Sequence, residues 1–306
     1  MQSRLVTACA LAHILVLAGL GATARAEMAS PWDESLSSRV RLLAGSVAVP
    51  PGPGEQGTGD LFLGVEIRID DGFKTYWRNP GDAGIPPRFD WSRSVNVKSA
   101  EVLYPAPSRL ADPAGQTLGY KHAVLFPIRL VREDDGAPAD VQLKLSYAVC
   151  GTLCIPAEAN LAIRLPAAAD AGAGPSLAIE QGLARVPRRH DGQRLAALGD
   201  DRAAPAPALP RVDAVRLEEG SGGRRLSITV AQPSGARAGD LFVEGPPDWY
   251  LPLANATARR QNGAIEEVDY LVALDGIPAS AALTGTMLKF TIVGGGAAAE
   301  QDWTLR

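Results

Sequence analysis

Apolar and polar residues alternate along several short stretches of this 306-residue chain. The clearest stretch covers residues 60–69, and residues 141–149 and 161–165 repeat the pattern. Alternation of this kind puts successive side chains on opposite faces of a β-strand. Segments rich in Gly and Pro, such as residues 50–59, separate the stretches. The pattern therefore predicts short antiparallel strands packed as a β-sandwich.

The predicted strands fall into two groups on either side of a segment with a different composition. The first group covers residues 39–49, 60–69, 73–77, 95–104, 123–131, 141–149 and 161–165, and the second covers residues from 212 onward, 226–230, 241–244, 267–273 and 288–293. Between them, residues 166–210 are rich in Ala, Gly and Pro, which is typical of a linker, and residues 177–186 predict one short helix.

The first 26 residues have the features of a secretory signal peptide. Arg4 provides a positive charge, an apolar run follows to about Leu20, and Ala24-Arg25-Ala26 is a small-residue cleavage pattern. The alternative is an uncleaved membrane anchor, because the apolar run approaches spanning length. No later segment is as apolar, so we expect a soluble, periplasmic mature protein.

Together these patterns predict an all-β protein in four parts. The parts are a signal peptide (1–26), a sandwich domain (27–168), a linker with a short helix (169–209) and a second, smaller β domain (210–306).

Composition excludes several functional classes. Apolar residues make up 46% of the chain and charged residues 21%, which is the balance of a globular protein with a hydrophobic core. The net charge is −4, without the basic stripe of a nucleic-acid-binding protein. We find no Ser/His/Asp arrangement, no phosphate-binding loop and no zinc-ligand spacing, so we expect neither a metal nor a cofactor.

The candidate chemistry lies in two cysteines, Cys150 and Cys154, since Cys9 falls in the signal peptide. Two close cysteines in an exported protein are expected to pair. Strand-like sequence on both sides predicts a tight hairpin, and facing residues of antiparallel strands are about 4.5–5.5 Å apart, within disulfide range. We expect Gly151 to give the turn its backbone freedom.

Three roles for this pair remain open from the residues alone. The disulfide is a structural staple, a redox centre or, when reduced, a pair of thiolates for Cu(I). A closed loop of about five residues stabilises a fold by roughly 2 kcal/mol in the chain-entropy model, which is little for a chain with this much core.

Three stretches resemble the N-terminal periplasmic domain of DsbD-type thiol:disulfide interchange proteins. They are residues 71–78 (D-G-F-K-T-Y-W-R), residues 119–128, and the hairpin at residues 147–156. The longer pattern at residues 76–84 is similar to the ScsB branch, which is associated with copper tolerance. The resemblance covers about residues 40–168, and the second β domain resembles an extra N-terminal region of ScsB.

The resemblance implies an immunoglobulin-like sandwich that carries the cysteines at one end. It implies protein-disulfide reductase chemistry, with a membrane-embedded thiol reductase as electron donor and periplasmic thioredoxin-like or disulfide-isomerase-like proteins as acceptors. By analogy, Cys154 would be the attacking thiolate. The competing hypothesis is an exported binding module of two β-sandwiches in which the disulfide only braces the hairpin.

The resemblance also implies a cap over the disulfide, within residues 113–121. Leu118, Gly119 and Tyr120 would be the shielding residues of this cap. Tyr76 and Trp77 would lie beneath the pair, and Tyr147 would pack near it. If the cap folds over the hairpin, Lys121 or His122 would favour the thiolate, and otherwise both are solvated.

Overall fold

The computed structural model describes residues 28–47, 60–112, 115–167, 176–190, 209–220, 223–234 and 239–306. The predicted signal peptide, the loop at residues 50–59, much of the predicted linker and residues 113–114 of the predicted cap lie outside the described residues. The described chain is almost entirely β-structure, which confirms the predicted fold class.

Twelve strands build the first sandwich. They are β1 (Met28–Ala29), β2 (Asp33–Ser35), β3 (Ser38–Val47), β4 (Asp60–Ile69), β5 (Lys74–Gly81), β6 (Arg88–Asp90), β7 (Ser99–Val102), β8 (Ser108–Asp112), β9 (Gly115–Lys121), β10 (Ala123–Val131), β11 (Ala139–Cys150) and β12 (Cys154–Leu165). One sheet has the order β1-β3-β4-β10-β7, with β2 paired to β3. The other has the order β12-β11-β5-β9-β8, with β6 paired to β11.

The hydrophobic core lies between these two sheets and explains the alternation in the sequence. Every second residue of β4 from Leu63 to Ile69, and of β11 from Ala139 to Val149, is buried in it, together with aromatic side chains from β10 and β9. Phe126 packs edge-on against Tyr120 and Tyr104, with ring centroids 5.5 and 5.4 Å apart. Burial of apolar area of this kind is the main stabilising contribution to the fold.

The predicted strand bounds agree fully for some strands and only in part for others. β4 and β10 have the bounds that the sequence predicts, whereas β7 covers only residues 99–102 of the predicted 95–104. Residues 115–121, interpreted as part of a cap, form strand β9 instead.

The helix α1 (Leu177–Leu183) is the one α-helix in the described residues and packs on the outer face of the first sheet. Ser176 caps it, because its hydroxyl accepts a hydrogen bond from the backbone N–H of Ile179 at 3.3 Å. The buried side chains of Ile179 and Leu183 cover Leu43 and Phe62 of that sheet.

Eight strands build the second sandwich. They are β13 (Arg188–Arg189), β14 (Arg211–Gly220), β15 (Gly223–Pro233), β16 (Asp240–Glu244), β17 (Asn255–Asn262), β18 (Ile265–Ala273), β19 (Met287–Gly294) and β20 (Ala297–Thr304). Its two four-stranded sheets have the orders β13-β20-β19-β16 and β14-β15-β18-β17, and they enclose a core of their own.

An apolar contact joins the two sandwiches. Phe242 of β16 belongs to the core cluster of the first sandwich, and its ring centroid is 5.9 Å from that of Trp77 on β5. Leu253 and Val293 of the second sandwich pack against the same cluster. The hydrophobic core of the first sandwich is therefore completed by side chains of the second.

Two arginines of the first sandwich add charged contacts to this interface. Arg78 donates to both carboxylate oxygens of Glu244 and, at 2.7 Å, to Glu300. Burial alone would lower the pKa of Arg78, but the hydrogen bonds and charges of these two glutamates outweigh it and hold that pKa above its ordinary value. Arg109 makes a second forked pair with Asp240. Forked pairs of this kind fix orientation as well as contact.

We predict that Arg78→Met destabilises the protein by about 3 kcal/mol, because it leaves two partly buried carboxylates without their shared cation. Denaturant unfolding of the full chain measures this loss. Arg164→Met is the matched control, since its ion pair with Asp140 is largely exposed and contributes at most about 1 kcal/mol. Equal losses in the two variants would contradict the importance of the interface pair.

Candidate active site

The candidate site is the tip of the β11–β12 hairpin. Strand pairing puts Cys150 directly opposite Cys154, with their Cα atoms 4.1 Å apart, and the two form a disulfide. Only Gly151, Thr152 and Leu153 connect them, and the N–H of Gly151 donates to the carbonyl of Leu153 at 3.1 Å. The hairpin predicted from the C-x3-C spacing is present.

Gly151 serves the turn for a different reason from the one expected. It is not among the glycines with positive φ, so backbone freedom is not what the turn requires. A Cβ atom at this position would lie 3.2 Å from the ring of Phe73. The missing side chain leaves room for the hairpin tip to pack against that ring.

The two cysteines differ sharply in exposure. Cys150 is 2% exposed, whereas Cys154 is exposed on the edge strand β12. Leu153, beside Cys154 at the tip, is 77% exposed. A reagent or protein approaching from solvent therefore reaches the disulfide at Cys154.

The disulfide lies on the outer face of its sheet, away from the sandwich core. Tyr147 and Val149 of β11 point into the core. Ala148 and Cys150 alternate with them along the strand and therefore point outward. The ring of Tyr76, on the neighbouring strand β5, packs with Ala148 and Cys150 in a small buried cluster. Its hydroxyl reaches across β11 to within 3.5 Å of Cys154 Sγ.

Residues 82–87, which connect β5 to β6, cover Tyr76, and we call them the cover segment. Gly84 takes φ +125°, and a Cβ atom there would lie 2.4 Å from the Tyr76 ring. The backbone of the cover segment therefore lies directly on that ring. β6 then pairs with β11, which fixes the far end of the segment.

Lys74 is a residue of this site that the sequence interpretation missed. It pairs directly with Cys150 across β5 and β11, so the two side chains lie on the same face. Lys74 is only 6% exposed, and its ammonium group donates to Thr117 Oγ1 at 3.0 Å. The spacing Lys74-Thr75-Tyr76 carried the signal, because residues two apart on a strand share a face.

The predicted cap residues lie elsewhere. Leu118 and Tyr120 point from β9 into the sandwich core, and the hydroxyl of Tyr120 donates to the carbonyl of Pro105 at 2.8 Å. Burial raises the pKa of Tyr120 well above its ordinary value. Gly119 lies against the backbone of β5, where a Cβ atom would meet the carbonyl oxygen of Thr75. Leu118 and Tyr120 therefore point away from the sheet face that carries the disulfide, whereas the cover segment lies against Tyr76 on that face.

Of the three predicted packing residues, Tyr76 alone contacts the pair. Trp77, its neighbour on β5, belongs to the core cluster and faces Phe242. Tyr147 is also in the core, where its hydroxyl lies 2.8 Å from that of Ser38. Trp77 and Tyr147 support the strands that carry the site rather than the disulfide itself.

Lys121 and His122 do not fold over the hairpin. Lys121 is exposed at the end of β9, and His122 is exposed with its ring 3.3 Å from the carboxylate of Asp71. Among the described residues, no group of three or more His, Cys, Asp or Glu side chains is placed to hold a metal ion. In the same part of the chain, no helix combines the length and apolar character needed to cross a membrane.

Comparison with known proteins shows what the domain that carries this hairpin is similar to. The family model for the N-terminal part of the thiol:disulfide interchange protein DsbD matches residues 39–166. A search of curated proteins returned no match. The match covers less than half of the chain, so these residues are similar to a DsbD N-terminal domain, and their fold is an immunoglobulin-like β-sandwich.

A solved structure resembles most of the chain. The crystal structure of the N-terminal periplasmic domain of ScsB from Proteus mirabilis has a TM-score of 0.62 and 21% sequence identity. The similarity covers 92% of this chain and 99% of that one. The fold likeness therefore includes the second sandwich as well as the domain with the cysteines.

We predict that Tyr76→Phe slows alkylation of reduced Cys154, because the Tyr76 hydroxyl can donate a hydrogen bond to the Cys154 thiolate. The expected decrease is about twofold to tenfold, which corresponds to the net contribution of one hydrogen bond. The measurement is the rate of iodoacetamide reaction at neutral pH in a Cys150→Ser background. Tyr147→Phe is the control, since that hydroxyl bonds on the opposite face, and an equal decrease there would argue against a specific role for Tyr76.

Proposed function

We propose that the protein is a periplasmic thiol–disulfide exchange protein that relays electrons from a membrane-embedded thiol reductase to exported substrate proteins through Cys150 and Cys154. The observation that carries this proposal is the asymmetric disulfide at the hairpin tip of a DsbD-type domain. Cys154 is exposed to solvent, and its partner Cys150 is buried.

In the first half of the cycle the pair is reduced. A thiolate of the donor attacks Cys154 Sγ, the Cys150–Cys154 bond breaks, and its electron pair leaves on the Cys150 sulfur. A second donor thiol then attacks the donor sulfur of the mixed disulfide. The donor leaves as a disulfide, and the two cysteines have gained two electrons and two protons.

In the second half of the cycle the electrons pass to an acceptor. The Cys154 thiolate attacks the acceptor disulfide, forming a mixed disulfide and releasing one acceptor thiolate. Cys150 then attacks Cys154 Sγ, which restores the intramolecular disulfide and frees the second acceptor thiol. Cys154 is the contact sulfur in both halves, in keeping with its exposure.

The surface around Cys154 suits contact with another protein. Leu153, next to Cys154 at the hairpin tip, is an exposed apolar side chain. A partner protein that reaches Cys154 would bury this side chain, which favours binding. We propose thioredoxin-like or disulfide-isomerase-like periplasmic proteins as acceptors, and export through the predicted signal peptide.

We predict that Cys150→Ser traps a mixed disulfide with a thioredoxin-like acceptor, because Cys154 can attack while the Cys150 thiol that completes the transfer is absent, so that only the released acceptor thiolate can reverse the step. Cys154→Ser should trap at most about a tenth as much, since Cys150 is buried. Non-reducing electrophoresis with mass spectrometry, after mixing with an oxidised thioredoxin-like protein, measures both. The double variant is the control for non-specific oxidation.

The competing hypothesis, a binding module with a bracing disulfide, makes the opposite prediction. It expects no mixed disulfide with either variant and a pair that stays oxidised in cells. Thiol trapping in cells therefore tests the relay independently, and a disulfide that is never found reduced would refute it.

A further inference from the structure

We propose that the second sandwich is part of the redox site, with Tyr250 and Asp82 as positioning residues that hold the cover segment against Tyr76. This inference rests on the proposed function and gives the second sandwich a role in it. The second sandwich contains no cysteine of its own, so any effect on exchange must act through contacts.

The direct contact is a hydrogen bond between the two sandwiches. The hydroxyl of Tyr250 donates to Asp82 Oδ1 at 2.8 Å. Tyr250 is 51% exposed, but its backbone N–H donates to the carbonyl of Gly276 at 3.0 Å, which anchors it to the second sandwich. The hydrogen bond to Asp82 raises the pKa of Tyr250.

Asp82 is the first residue of the cover segment and joins three parts of the molecule. Its backbone N–H donates to the carbonyl of Gln116 at 3.1 Å. Its second carboxylate oxygen accepts from the N–H of Gln116 at 2.9 Å. The cover segment is thereby tied to β9 on one side and to the second sandwich on the other.

The ion pairs of Arg78 and Arg109 with the second sandwich lie on either side of the cover segment. Arg78, four residues before Asp82, is fixed by Glu244 and Glu300. Arg109 on β8 bonds Asp240 of the second sandwich and, at 2.9 Å, the side chain of Gln116. The second sandwich therefore contacts β5 and β8 of the first sandwich as well as Asp82, the first residue of the cover segment.

These contacts would affect the exchange reaction because they keep Cys150 buried. Attack on Cys154 Sγ requires Cys150 to leave as a thiolate, and exchange is faster when the leaving thiolate is better stabilised. An anion beneath the Tyr76 ring is poorly solvated and therefore disfavoured. Gly84 holds that ring in place, so loosening the cover segment would admit water to Cys150 and speed the exchange.

The test is the second-order rate constant for reduction of the oxidised, full-length protein by dithiothreitol. Tyr250→Phe removes only the hydroxyl and should raise this rate constant about twofold to tenfold, the range for one hydrogen bond. Gly84→Ala should act in the same direction, because its methyl group displaces the segment from Tyr76. Ser234→Ala, which removes an exposed hydroxyl bonded within the second sandwich, should leave the rate unchanged.

A double-mutant cycle makes the inference specific. If Tyr250 acts through Asp82, then adding Tyr250→Phe to Asp82→Ala should produce no further rate increase. Additive effects, or an unchanged rate in Tyr250→Phe while Gly84→Ala is faster, would overturn the inference. The reaction with dithiothreitol needs no protein partner, so a failed relay with protein acceptors would refute the proposed function without refuting this one.

Discussion

Strands β11 and β12 pair along their whole length, from Ala139 opposite Leu165 to Cys150 opposite Cys154. This register is fixed by burial, because every second residue of β11 up to Val149 lies in the sandwich core. A slip of one residue would turn those side chains to solvent and the cysteines inward, where they would no longer face each other. The hydrophobic core thus determines both that the disulfide forms and which way it points.

The sequence predicts the fold well where apolar residues recur at every second position of a strand. β11 has this character up to Val149, and the bounds of β4 also agree with the prediction. β17 was not predicted, because all eight of its residues are exposed and its pairing with β18 depends on backbone contacts and charges. The resemblance predicts a cap where β9 lies, and Gly115 and Gly119, which are poor strand formers, obscure the strand pattern of Leu118 and Tyr120.

The residues of the candidate site also differ in how far the sequence predicts them. The cysteine pair and Tyr76 could be predicted, because short spacing and a local motif specify them. The spacing of Lys74 and Tyr76 puts both on one face of β5, but the sequence does not show that Lys74 faces Cys150. That pairing and the position of the cover segment depend on β5 lying between β11 and β9. Strand order joins residues more than seventy positions apart in sequence, such as Tyr76 and Cys154, and no local pattern encodes it.

Phe242 has a consequence beyond the candidate site. It belongs to one sandwich by sequence and to the hydrophobic core of the other by contact. Unfolding the second sandwich alone would remove Phe242 and expose Trp77 of the first sandwich to water. Exposing this apolar surface costs free energy, so partial unfolding is disfavoured. The two sandwiches are therefore expected to behave as a single cooperative unit, in which loss of structure in either one is felt by both.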